Sequence, residues 1–271
     1  MLKEDVANII LGRLDEEREH LQQSFSRTRD ATSTKYFVLD NLLPEDLVLK
    51  LYESFPSEET YYRRDTFREK KLTFAKLDRL ESKLPNEITD SFQDSRVIQM
   101  VGEITDIAEL EGDPLLYAGG ISRMDRTHFL NPHIDNSHDN NRERYRRLNL
   151  LFYVTPGITE EDGGNFELWD EKVRNPHKIV SGFNRLVVME TTKTSWHSVD
   201  PVKSDIQRCC VSNYYFSKHS PSGEDYYHVT SFLGRPGQAG KRLYGRLDNF
   251  LRQNVATLTG VSRGKDLARG K

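Results

Sequence analysis

From about Pro114 onward the chain is punctuated in a way that leaves few folds open. Apolar runs of strand length ("LLYAGGISRM", "RLNLLFYVTP", "GGNFELWD", "RLVVME", "QRCCVSNYYFS") alternate with turn-forming Gly, Pro, Asn and Asp. The runs are rich in branched and aromatic residues, which predicts strands. Many short strands at fairly regular spacing predict a sandwich or jelly roll. The preceding part reads differently. Leu2, Val6, Ile9, Ile10 and Leu14 recur at helical spacing. "KYFVLDNLLPEDLVLKLYESF" predicts a short strand over residues 36–39 and then a helix. Pro44 sits in its first turn, Glu45 and Asp46 favour its positive end, and Leu47, Leu51 and Phe55 form its buried stripe. Residues 57–75 predict a polar loop, and 76–111 a helical stretch interrupted near Pro85. "KRLYGRLDNFLRQNVATL" predicts a final helix within a basic tail.

Composition narrows the class. Hydrophobic residues make up 36% and charged residues 30% of the chain, yet 13 Phe and 12 Tyr supply enough apolar volume for a core. A net charge of −3 gives no global pull toward nucleic acid or membrane. The cysteines, Cys209 and Cys210, are adjacent, so on a strand they face opposite ways and cannot form a disulfide framework. "MLKEDVANIILGRLDEEREH" lacks a secretion signal's basic start and apolar core, and no run is apolar enough to span a bilayer. A cytoplasmic, reducing setting is the expectation.

"FLNPHIDNSH" places His133 and Asp135 one residue apart. On a strand both side chains leave the same face, because the period is two. An imidazole and a carboxylate aimed at one point suit a metal. A third ligand comes best from His197 in "TSWHSVDPV", after the apolar run "RLVVME". Two histidines and a carboxylate suit non-haem Fe(II) with open positions; by ligand type alone, zinc with a water is the rival. Arg208 weighs against zinc. It opens the last strand-like run, and an arginine projecting into a β-barrel interior is costly unless a carboxylate meets its planar fork. An iron enzyme with a dicarboxylate co-substrate requires such a residue, and a zinc hydrolase does not.

His-x-Asp, a distal His and an Arg a short way on resemble the Fe(II)/2-oxoglutarate-dependent dioxygenases, and most closely their prolyl-4-hydroxylase-like branch. The resemblance covers roughly residues 115–217 and includes "FLNPHID", "LNLLFYVTP", "DGGNFELWD" and "WHSVDPV". It implies a double-stranded β-helix (jelly roll) core, mainly β with flanking helices. The whole of 1–271 would be one domain: helical support in 1–113, core in 114–219, and a basic C-terminal segment in 220–271. It implies that His133, Asp135 and His197 hold Fe(II) and that Arg208 binds the distal carboxylate of 2-oxoglutarate. Tyr153 and Asn149, which share a face of "LNLLFYV", match further co-substrate contacts, and Tyr214 shares the face of Arg208. Dioxygen is the other co-substrate, with ascorbate an optional addition. In one departure, Arg123 stands where many relatives have a tyrosine; it could rearrange the co-substrate pocket or contact an anionic substrate.

The expected reaction is hydroxylation, since the family's halide-handling members lack a carboxylate at the position of Asp135. The expected substrate is an aliphatic carbon of a protein or peptide side chain, with a small molecule such as an amino acid or sugar as the alternative. A non-catalytic module that binds metal and 2-oxoglutarate is the reading from another class. Neither a membrane nor nucleic acid is an expected partner, the tail being aromatic-poor for strand stacking. The other histidines (His20, His128, His138, His177, His219, His228) read as structural or surface residues. Gly163 and Gly164 read as a turn, and "NNRERYRRLN" as a solvated charged connection.

Overall fold

A computed structural model describes residues 2–27, 32, 34–117 and 119–259. In the N-terminal part, α1 (Leu2–Glu16) and α2 (Arg18–Arg27) are followed by β1 (Tyr36–Asp40), α3 (Glu45–Glu53), β2 (Tyr62–Asp65), β3 (Glu69–Phe74), α4 (Leu84–Phe92) and α5 (Ser95–Thr105). The helical spacing read in α1 is its packing face: Val6, Ala7, Ile10 and Leu14 are buried. Pro44 stands at the N-cap of α3, whose buried residues are Val48 and Leu51, while Leu47 and Phe55 are only partly covered. Pro85 does not interrupt a helix. It lies in the first turn of α4, where its missing N–H costs no hydrogen bond. Asp94 caps α5 by accepting from the Arg96 backbone N–H.

The expectation of a loop over 57–75 is corrected: β2 and β3 form a hairpin that joins the main sheet. Its sequence hides this because Leu72 is the one residue of β3 buried in the helix-side core. Lys71 and Glu69 lie on the opposite face, and on the face of Leu72 itself Lys70 is polar, so the apolar alternation that marks strands is incomplete.

The remaining strands are β4 (Gly120–Met124), β5 (Phe129–Ile134), β6 (Tyr145–Tyr153), β7 (Phe166–Trp169), β8 (Pro176–Ile179), β9 (Arg185–Glu190), β10 (His197–Val199), β11 (Arg208–Ser217) and β12 (Ser231–Phe232), followed by α6 (Ala239–Thr259). Together with β1, β2 and β3 they make, among the described residues, one 12-stranded antiparallel sheet in the order β1-β9-β6-β11-β4-β3-β5-β10-β7-β8, with β12 beside β5 and β2 beside β3. The non-consecutive order is that of a curled jelly roll, as expected. One apolar cluster lies between sheet and helices and includes Leu148, Leu150, Phe152 and Cys209; another inside the roll includes Tyr153, Leu168, Met189 and Cys210. Adjacent cysteines thus enter different cores, as strand alternation requires.

Three arginines of the basic C-terminal segment are engaged with the chain itself. Arg235 pairs with Glu167, Arg252 with Asp248, and Arg242 donates to the carbonyls of Lys172, Val173 and Gly234. Residues 260–271 of that segment lie outside the described residues. No helix among the described residues is long and apolar enough to cross a membrane.

Gly120 begins β4 at φ +112°, and a Cβ there would lie 2.4 Å from the Phe74 carbonyl oxygen. Gly120→Ala combines backbone strain with a clash between neighbouring strands. A loss of about 2–3 kcal/mol in urea unfolding is expected; an unchanged midpoint would show that β3 and β4 do not approach so closely.

Candidate metal centre

Strand pairing brings the histidines together: His197 of β10 lies opposite His133 of β5, and their ring centroids are 4.0 Å apart. Asp135 follows β5 directly. One potential ligand atom from each of the three residues lies within 4.8 Å of the others. Each Nδ1 faces a backbone carbonyl, Asn131 O at 3.0 Å for His133 and Ser195 O at 2.9 Å for His197. Those carbonyls place the proton on Nδ1 and leave the lone pair on Nε2. Both Nε2 atoms are 3.6 Å from Asp135 oxygens, His133 from Oδ1 and His197 from Oδ2.

The protonation states fit a metal site. Burial lowers the His133 imidazole to about 3 and also lowers that of His197. Burial alone would raise the Asp135 carboxyl, but the Arg146 guanidinium above all, with the Asn149 amide, holds it below the usual carboxylate range. Asn149 Nδ2 donates to Asp135 Oδ2 at 2.7 Å, and Arg146 Nη1 lies 3.2 Å from the same oxygen. That leaves Oδ1 for a cation. Two neutral imidazoles and an ionised carboxylate in one buried cluster are a donor set that Fe(II) accepts.

Arg146 is a correction to the reading of "NNRERYRRLN" as solvated. It is 1% exposed, donates to Asn136 Oδ1 at 2.9 Å, and lies 4.2 Å over the Tyr214 ring. The β6–β11 register slips between Tyr215 and Phe216, so that Phe216 faces Arg146 after Tyr215 faces Leu148. The bulge absorbs Arg147 and turns Arg146 inward. Strict alternation from Asn149 selects Arg147 instead, so the sequence carried no direct signal for this residue.

The other predicted residues sit along the same interior face. Asn149, at the metal end of β6, holds Asp135, and its Oδ1 accepts from the Thr191 hydroxyl at 3.3 Å. Tyr153 is at the far end of the strand, about 13 Å away along the backbone. Its ring lies 4.8 Å from the Arg208 guanidinium carbon. Arg208 is 4% exposed. Its Nε donates to Gly164 O at 2.6 Å and to Ser181 Oγ at 3.1 Å, and Nη1 reaches the Met124 sulfur at 3.7 Å. No carboxylate among the described residues pairs with it. Gly164 has φ +69°, and a Cβ there would lie 2.9 Å from Arg208 Cδ, so the Gly-Gly turn is shaped by the arginine packed against it.

Arg123 is outside this interior. It pairs across strands with Cys209, on the helix-side face, and donates to Asp125 at 2.8 Å; Met124 instead lies opposite Arg208. Two further residues near the cluster lacked any motif. Lys71, paired with Glu69 at 3.4 Å, brings a positive charge near both histidines. Phe232 of β12 stacks on His133 with centroids 5.2 Å apart and planes at 16°.

Residues 119–216 match the model of the 2OG-Fe(II) oxygenase superfamily. Residues 119–216 belong to that superfamily. Dioxygenases of this superfamily use Fe(II) and 2-oxoglutarate, and the chain is an oxidoreductase of that type. Solved structures agree in fold. A prolyl-4-hydroxylase from Pseudomonas putida superposes with a TM-score of 0.54 at 14% identity, covering 73% of this chain and 98% of its own. A prolyl 4-hydroxylase from Phytophthora capsici gives 0.53 at 17% identity, covering 92% and 77%. A Trichoplax adhaerens prolyl hydroxylase, in complex with a hypoxia inducible factor oxygen degradation domain peptide, gives 0.50 at 17%, covering 75% and 92%. No curated protein sequence matches the chain.

The buried imidazoles set an expected pH response. His133 is lowered to about 3 and His228 to about 4, both by burial, so in the folded chain they stay neutral where unfolded imidazoles already take protons. The unfolded state then binds more protons below the ordinary histidine range, and stability falls as pH falls. The urea midpoint of the metal-free chain should drop steadily from about pH 7 to about pH 5; a flat profile would mean that these rings protonate within the fold.

Proposed function

We propose that this chain is a hydroxylase in which His133, Asp135 and His197 hold Fe(II) and Arg208 binds the distal carboxylate of 2-oxoglutarate. The observation that carries the reading is a buried arginine with no carboxylate partner among the described residues at one end of the roll, and a His-Asp-His cluster at the other. An unpaired interior charge is expensive, and a dicarboxylate anion is the partner whose charge and forked geometry match it. Tyr153 walls the distal pocket beside Arg208. Asn149 serves Asp135 in place of the co-substrate, fixing the carboxylate with one oxygen turned to the metal. Residues 1–271 act as one catalytic unit, with the helical N-terminal part supporting the core.

Bound Fe(II) supplies the oxidation of 2-oxoglutarate to succinate and carbon dioxide and the transfer of one dioxygen atom into a substrate C–H bond. The protein's own part is orientation and exclusion of water. Backbone carbonyls fix both imidazole tautomers, Arg146 and Asn149 keep Asp135 ionised, and the apolar interior shields the space between cluster and Arg208. The substrate we propose is an aliphatic carbon of a protein or peptide side chain. The similar fold of structures described as prolyl hydroxylases, one of them bound to a peptide, supports this class.

Two results are expected. Under anaerobic conditions Fe(II) and 2-oxoglutarate together should give a weak visible charge-transfer band. Asp135→Gly should lose the band and all substrate oxidation while remaining folded; oxygen transfer at the wild-type rate would exclude Asp135 as a ligand. In the second test, Arg208→Leu should raise the KM for 2-oxoglutarate by roughly two to three powers of ten, or about 3–4 kcal/mol, with iron affinity little changed. Arg208→Lys keeps the charge but not the fork and should fall between. Identical co-substrate titrations of uncoupled succinate formation in all three proteins would remove Arg208 from the pocket.

A further inference from the structure

The superfamily match ends at residue 216, yet the chain beyond it returns to the metal centre at three places. Near Asp135, Ser137 and His228 bond reciprocally: Ser137 N–H donates to His228 O at 2.9 Å, and His228 N–H donates to Ser137 Oγ at 2.8 Å. At His133, β12 adds a strand to β5, pairing Phe232 with His133 and Ser231 with Ile134. Beside His197, the guanidinium of Arg235 lies 2.7 Å from buried Glu167 and donates to Val199 O at 3.0 Å. Trp169 Nε1 and Glu167 both engage Ser198, the residue after His197. Each member of the cluster is thus braced, directly or through a near neighbour, by the same C-terminal segment.

The contact at His133 is the most specific. The hydrogen bond from Nδ1 to Asn131 O sets the tautomer but constrains the ring at one point only. The Phe232 ring lies nearly parallel to the imidazole, at 16°, and blocks tilting toward that side. Phe232 is itself held from behind. The Arg68 guanidinium carbon lies 5.9 Å from its ring, and Arg68 pairs with Asp248 of α6 at 2.6 Å. Asn249 of α6 grips the Phe232 backbone at both ends, accepting from its N–H at 3.0 Å and donating to its carbonyl at 2.9 Å. Arg252 adds a bond to Thr230 O at 2.9 Å.

We infer that the segment from His228 to Arg252 is a working part of the metal centre, with Phe232 as a positioning residue that fixes the His133 imidazole for metal binding. This rests on the assignment of His133 as a ligand. Partners that orient a ligating histidine typically change metal affinity by 10–100-fold when removed. Phe232 does so through its flat face, with no polar group.

The test is Co(II) binding to the full-length, metal-free protein without co-substrate, followed by visible absorption, with the apo melting curve of each variant recorded. Phe232→Ala is expected to weaken Co(II) binding by about 10–100-fold and to alter the ligand-field bands. Phe232→Tyr retains the ring and should restore both. Phe232→Leu retains apolar bulk without a flat face, and its bands should stay altered. Asn249→Ala loosens β12 without touching His133 and should shift affinity the same way by a smaller factor. A folded Phe232→Ala protein with wild-type affinity and spectrum overturns the inference, as does a Phe232→Tyr protein as impaired as Phe232→Ala. If Phe232→Ala does not fold, wild-type Co(II) affinity in Asn249→Ala overturns it. Failure of the wild type to bind Co(II) instead removes the metal reading of the cluster, and this inference with it.

Discussion

The Asp135 carboxylate sits in a low-dielectric interior beside two imidazoles that burial keeps neutral, so neither histidine can serve as its counter-ion. Arg146 supplies the charge, 3.2 Å from Oδ2 and almost wholly buried. Removing either member would leave the other uncompensated, and isolated buried charge is what a fold tolerates least. The pair depends on the bulge in β6, on Asn149, which holds the same oxygen, and on Tyr214, against which the guanidinium lies. The metal cluster therefore requires the β6–β11 ladder as much as the strands that carry its histidines.

Charge is arranged in two compartments within the roll. At one end a carboxylate is matched by an arginine of the chain, which leaves the cluster able to accept a cation. At the other, Arg208 is held by a carbonyl and a hydroxyl that orient it without neutralising it. The two ends lie on one face of neighbouring strands, since Asn149 pairs with Tyr214 and Tyr153 with Cys210. A rigid ladder thereby sets the separation between the His-Asp-His cluster and Arg208.

Much of this could be read from the chain. The strand texture after Pro114, the His-x-Asp step, His197 and Arg208 are local patterns, and local patterns survive without coordinates. The split of Cys209 and Cys210 between two cores followed from alternation alone. What escaped had identifiable causes. β2 and β3 look like loop because β2 has Tyr62 as its one apolar residue and Lys70 breaks the apolar face of β3, so neither period shows. Arg146 was hidden by a bulge that shifts the parity of its strand. Arg123 was weighed as a pocket residue because its place in the sequence matched the pocket, whereas its place in the pleat turns it outward. Phe232 belongs to a two-residue strand, too short to have a period, and its role depends on a neighbour far away in the chain.

The pairing of β12 with β5 has a consequence for biosynthesis. A ribosome delivers the chain from its N-terminus, and β5 emerges long before residues 231 and 232. Until those residues arrive, the strand that carries His133 has an unfilled edge and the imidazole lacks its stacked neighbour. The nascent chain can therefore expose its two histidines and aspartate without yet holding them in a fixed geometry. On the proposed assignment of the cluster, tight metal capture belongs after translation has passed α6.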